Sequence, residues 1–143
     1  MNKQESQNLM IGSWVLAGGE PRQVRSITKK KVGVLTSNES HRQSYYRLFE
    51  VEPIPITEEW LMKNGFEKIG DKDSYGIEVY NKELPDITIE IRKNGSNTIG
   101  RDWFCHIDNQ DCQGIACADV QYIHQLQNLL NLLNIKMEMK VEL

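Results

Sequence analysis

The sequence predicts an α+β protein. An N-terminal SH3-like small β-barrel lobe covers residues 1–56, and an α+β lobe with an antiparallel sheet and two helices covers residues 57–143. Three observations carry this. Short runs rich in β-branched and aromatic residues recur at close intervals through the first 56 residues, with turn signals between them. Two segments, near residues 57–64 and 120–134, switch to helical periodicity. The remaining runs alternate apolar with polar residues, the period of a strand with one wet face. At 143 residues the two lobes are expected to pack as one unit.

In the first lobe "IGSWVLA" reads as a strand ending at the Gly18-Gly19 turn. "RQVRSI" and "VGVLT" follow, joined by the basic link "TKKK". A polar loop, "SNESHRQS", leads into "YYRLFEVEP". "PIPITEEWLMKNGF" then opens the first helix. Thr57 is placed to cap it, Glu58 and Glu59 favour its positive end, Ile56 and Leu61 form a hydrophobic staple, and Asn64-Gly65 stops it.

The strands "YGIEVYN", "DITIEIRK" and "TIGRDWFCHID" come next. In the second, Ile87, Ile89 and Ile91 share one face, and Thr88, Glu90 and Arg92 share the other. A two-residue Asn-Gly turn after this strand would leave Ile99 and Trp103 on the polar face. A three-residue loop, pairing Ile91 with Ile99 and Ile87 with Trp103, or a bulge at Gly100, avoids that. The second helix is expected to start after Asp119 as N-cap and to cover the C-terminal sheet. Its apolar arc holds Tyr122, Ile123, Leu126, Leu130 and Leu133. "IKMEMKVEL" alternates as a final strand.

Composition narrows function. Net charge is −3, which argues against a general nucleic-acid coat protein. The charge is uneven: residues 1–56 hold eight basic and five acidic side chains, residues 57–143 nine and fifteen. No stretch approaches the roughly 18 apolar residues of a membrane span, so no membrane partner is expected. Cys105, Cys112 and Cys117 are odd in number and close together, which fits a reduced, cytoplasmic setting. Their spacing lacks the C-x₂₋₄-C pair that aims two thiolates at one zinc, so neither a metal nor another cofactor is expected.

Three groups of residues could carry function. Val120–Ile135 contains no charged residue in a chain that is 26% charged, where about four would be ordinary. Its second face presents Gln121, His124, Gln125, Asn128 and Asn131. Amides and imidazole can be covered at less cost than charges when hydrogen-bonded, so this face is a candidate contact for a protein partner, a second copy or the N-terminal lobe. Arg22, Arg25, Lys29, Lys30 and Lys31 cluster on one predicted hairpin. With Trp14, Tyr45 and Tyr46 in the same lobe they could hold a phosphate backbone while aromatics stack on bases. His106 shares a strand face with Asp102 and Asp108, an arrangement that can orient an imidazole for acid–base chemistry. No nucleophile elbow, phosphate loop or zinc-protease motif accompanies it, so a non-enzymatic interaction module is the first expectation and nucleic-acid binding the alternative.

Three stretches in this order, "IGSWV", "PIPITEEWLMKNGF" and "VQYIHQLQNLL", resemble small proteins without assigned activity encoded by gut Bacteroidetes, often in phages or integrated mobile elements. The resemblance spans nearly the whole chain and is most specific in "PIPITEEWLMKNGF" and "YIHQLQNLL". It departs after the second helix, where an aromatic and a "TGEEL"-like ending would be expected. The resemblance implies an intracellular, mobile-element setting and brings no catalytic residues.

Overall fold

The computed structural model describes residues 1, 9–36, 42–69, 77–93, 103–111 and 113–142. Its strands and helices are β1 (Trp14–Ala17), β2 (Glu20–Ile27), β3 (Lys31–Leu35), β4 (Gln43–Arg47), a 3₁₀ turn (Leu48–Glu50), β5 (Val51–Pro53), α1 (Glu58–Lys63), β6 (Glu67–Lys68), β7 (Glu78–Glu83), β8 (Ile87–Lys93), β9 (Trp103–Asn109), β10 (Gly114–Asp119) and α2 (Ile123–Leu132). Two antiparallel five-stranded sheets result, in the orders β4-β3-β2-β1-β5 and β10-β9-β8-β7-β6, so the class is α+β. The chain divides into two compact units. One is Met1–Pro55 with Tyr122–Met137 and Val141–Leu143; the other is Ile56–Gln121 with Glu138–Lys140.

In the first unit Gly18 and Gly19 both have positive φ, the conformation a two-residue hairpin between β1 and β2 demands. β5 returns to pair with β1, and among the described residues no ladder joins β4 to β5 to close a barrel. The core is built around Val15, Val24, Val32, Val34 and Val51, β-branched residues whose stiff side chains suit a pleated surface, with Ala17 among them.

Helix α2 falls in this unit, whereas the sequence reading places it with residues 57–143. β5 stops at Pro53 opposite Val15, leaving the next backbone groups of the β1 edge without a strand partner. The Gln127 carboxamide takes that place. It accepts from the Trp14 N–H at 2.9 Å and donates to the Gly12 carbonyl at 3.1 Å, as a peptide group would.

The start of α2 also differs. Asp119 does not cap it, because Asp119 ends β10 opposite Phe104 and Val120 N–H still donates to the Trp103 carbonyl. Tyr122 is the N-cap, and its N–H is satisfied by Gln125 Oε1 at 3.1 Å. At the other end Asn134 adopts φ +54°, Asn134 N–H donates to Asn131 O and Ile135 N–H to Leu130 O. These are the two bonds of a Schellman stop. Only glycine takes this conformation without strain, and asparagine comes next. Asn134→Ala is therefore expected to cost about 1 kcal/mol, and Asn134→Gly to stay within about 0.5 kcal/mol of the parent. Urea midpoints of the three proteins check the order.

In the second unit α1 matches its sequence signals. Thr57 Oγ1 accepts from Trp60 N–H at 3.1 Å, and Gly65, at φ +83°, lets Phe66 N–H reach Leu61 O. The Lys82 ammonium donates to the Asn64 carbonyl at 2.7 Å, placing a cation at the negative helix end.

β8 and β9 pair Ile91 with Cys105, Ile89 with Ile107 and Lys93 with Trp103. The three-residue loop is thus corrected to nine intervening residues, and the bulge expected at Gly100 lies outside the described residues. The shift of six residues keeps the parity, so Ile89, Ile91, Trp103, Cys105 and Ile107 are all buried. The shorter loop would have set Arg101 opposite Ile89, which explains the longer one.

Residues 135–142 join no ladder, correcting the final strand, although their exposure alternates as expected. The Asn64 carboxamide holds this segment, donating to Lys140 O at 2.9 Å and accepting from Lys140 N–H at 2.7 Å.

Candidate functional site

The β2–β3 turn owes its shape to Thr28. Its Oγ1 accepts from the Lys31 N–H at 3.0 Å, while its backbone N–H donates to Lys31 O at 2.9 Å. The turn therefore lifts Lys29 and Lys30 into water, where their mutual repulsion is screened. Lys31 opens β3, and the pairing with β4 sets it opposite Arg47. Directly opposite residues of an antiparallel pair share a face, so the two cations stand side by side.

After Arg47 the chain tightens into the 3₁₀ turn, with Glu50 Oε1 accepting from the Arg47 N–H at 3.1 Å. The turn throws the Phe49 ring outward, 69% exposed, with the Arg47 guanidinium 6.0 Å from its centroid. Lys30, Lys31, Arg47, Leu48 and Phe49 together line an open concavity of about 470 Å³. Tyr45, 62% exposed, lies on the same strand face two residues from Arg47 and opposite Gly33.

Of the five basic residues read from sequence, Lys30 and Lys31 line this concavity and Lys29 sits in the same turn. Arg25 is exposed where the β2–β3 register shifts. Arg22 is turned to Glu20 and to the Pro21 carbonyl, so much of its charge is locally neutralised. Trp14 is buried and Tyr46 packs against the valine core, which removes both from the stacking set. Arg47 and Phe49 were missed. The available signal was the period-two placement of Arg47 after Tyr45, on a strand that follows the basic turn.

The charge-free face of α2 lies largely inside the chain. His124 is fully buried, Asn128 nearly so, Gln121 and Gln125 are half-buried, and Asn131 is exposed. Tyr122 and His124 stack with ring centroids 5.8 Å apart.

His106 lies on the outer face of the second sheet, between Glu90 and Cys117 on neighbouring strands. Its Nε2 is 2.8 Å from Asp108 Oδ1; Asp102 lies outside the described residues. Gly114 leaves room beside the imidazole. Among the described residues no group of three or more His, Cys, Asp or Glu side chains is arranged to hold a metal. Cys105 and Cys117 are free thiols, and Cys112 lies outside the described residues. Burial pushes the Cys105 thiol up to about 12, with Cys117 and Glu90 adding to it, so it stays neutral. Burial likewise raises the Tyr80 phenol, helped by the Glu58 and Glu78 carboxylates. No described helix is long and apolar enough to cross a membrane.

Comparison with protein-family models, with curated proteins and with solved structures finds no match for this chain.

Proposed function

We propose that the protein is a non-enzymatic binding module whose first unit holds the phosphate backbone of a nucleic acid at the β2–β3 turn and β4. The observation that carries this reading is the convergence of Lys30, Lys31 and Arg47 with the exposed Phe49 ring on one concavity. Free cations placed side by side repel each other, and a bound polyanion converts that repulsion into attraction. The strand order, with β5 leaving a 3₁₀ turn to pair with β1, supports an SH3-like reading of the lobe, an architecture small enough to present such a surface on strands and turns. The resemblance to mobile-element proteins and the free cysteines agree with a cytoplasmic setting, where nucleic acid is abundant.

A partner docking on the amide face of α2 is supported less, since most of that face is already covered within the chain. Asn131 and the neighbouring Leu132, 82% exposed, are what a protein partner would find there.

Affinity for a labelled oligonucleotide should fall with rising salt, with a log–log slope of about −2 to −3 for three phosphate contacts. Charge reversal at all three positions (Lys30→Glu, Lys31→Glu, Arg47→Glu) should weaken binding at least roughly tenfold at low salt and flatten that slope. An affinity indifferent to salt, or unchanged in the triple variant, would remove the reading.

A further inference from the structure

We infer that the nucleic acid held at this surface is unpaired, with Phe49 as the platform on which a base stacks and Tyr45 extending it; this rests on the nucleic-acid reading above. The first support is the division of the concavity into two chemistries. Leu48 and Phe49 give it an apolar wall, and Lys30, Lys31 and Arg47 a cationic one. A nucleotide has the same two halves, a flat aromatic base and an anionic phosphate. About 470 Å³ lies within the size range of small-ligand pockets, which suits a single base with its sugar. A base inside a duplex shows only its edge and cannot offer its flat face to a ring.

The second support is exposure. Phe49 and Tyr45 are two of the most exposed large hydrophobic side chains described, at 69% and 62%, and both flank the same cations. An acidic peptide would satisfy Lys30, Lys31 and Arg47 but gives no reason for two bare rings beside them. The Arg47 guanidinium at 6.0 Å from the Phe49 centroid adds a cationic plane on which a base can also lie.

The third support is what a duplex would need and does not find among the described residues. Reading double-stranded DNA requires an element that enters a groove and a broad cationic footprint, because the duplex carries a charge about every 1.7 Å of its axis. Helix α2 carries no charge and is mostly buried, and α1 begins with Glu58 and Glu59. Lys30 in the turn, with Lys31 and Arg47 at two facing strand ends, matches the lower charge density of a single strand.

The test uses the full chain and three fluorescent probes of equal length: oligo-deoxythymidine, a duplex of mixed sequence, and an abasic strand that keeps the phosphates but lacks bases. Oligo-deoxythymidine is expected to bind at least roughly tenfold tighter than either of the others. Phe49→Ala should lower its affinity about tenfold and leave abasic binding unchanged, and Phe49→Tyr should restore it. Phe49 is exposed, so melting temperatures of the variants should match the parent. Equal affinity for strand and duplex, or a harmless Phe49→Ala, overturns the inference while the nucleic-acid reading stands. Failure of all three probes to bind overturns both. Equal binding of a poly-glutamate peptide would assign the site to acidic chains instead.

Discussion

Gly33→Val is expected to be among the most damaging single substitutions in the first unit, lowering stability by about 1–3 kcal/mol. Gly33 is buried in the middle of β3, between Ser26 of β2 and Tyr45 of β4. Above it the Ser26 hydroxyl donates to Gln43 Oε1 at 2.8 Å. A Cβ at position 33 would overlap Ser26 Oγ and stand 2.5 Å from Gln43 Oε1 and 3.0 Å from the Tyr45 ring. Overpacking of this kind costs about 1–3 kcal/mol, and the lost hydrogen bond about 1 more. Valine's preference for strands returns up to about 1 kcal/mol, so the clash wins. Alanine meets the same neighbours with fewer atoms and should cost less.

A thermal melt gives the size of the effect, and a mutant cycle gives its cause. If Ser26 Oγ is the obstacle, Gly33→Ala should cost measurably less in a Ser26→Ala background than in the parent. Equal costs in both backgrounds would point instead to Gln43 or to the ring of Tyr45. The second alternative bears on the proposed ligand surface, because displacing Tyr45 moves one of its two exposed aromatics.

How far the chain could be read in advance follows from the range of each interaction. Thr57, the Glu58-Glu59 pair and Asn64-Gly65 were legible because a helix cap acts within four residues. The buried parity of Ile89 and Ile91 against Glu90 and Arg92 was legible because alternation survives any even shift of register. The register itself was not, since it depends on Trp103, Cys105 and Ile107 finding Lys93, Ile91 and Ile89 across a nine-residue connection. β10 escaped notice because "GIACAD" has weak strand propensity and becomes a strand by pairing with β9.

The two helices show the same limit. Composition said that α2 should touch something on both sides, and His124 and Asn128 are indeed interior. What Gln127 touches is set by where Pro53 ends β5, a fact about a strand more than 70 residues earlier. The candidate site behaves likewise. Lys30 and Lys31 announce themselves, whereas Arg47 and Phe49 join them only through the β3–β4 ladder. Local charge was readable, and the aromatic half of the surface was not.

Asn64→Ala should free the C-terminal segment, because one side chain does there what a neighbouring strand would otherwise do. Residues 135–142 have no ladder, yet Lys140 exchanges two hydrogen bonds with the Asn64 carboxamide, which also donates to the Trp60 carbonyl at 2.9 Å. Asn64 is buried, so its removal strands partly desolvated carbonyls at a cost of about 2–3 kcal/mol. Hydrogen exchange at the Lys140 amide should accelerate strongly, with the strands of the second sheet affected far less. Asn64→Asp separates shape from chemistry. A carboxylate can still accept from the Lys140 N–H, but it cannot donate, and it then faces the carbonyls of Trp60 and Lys140. Repulsion there raises the pKa of the new carboxyl above its unfolded value of about 3.9. The protonated form is thus favoured in the folded state, so the deficit of this variant should be full above the raised pKa and shrink as pH falls through it. Asn64→Ala has no titrating group and should show no such recovery. If Lys140 exchanges equally slowly in the parent and both variants, the amide is not what holds the segment.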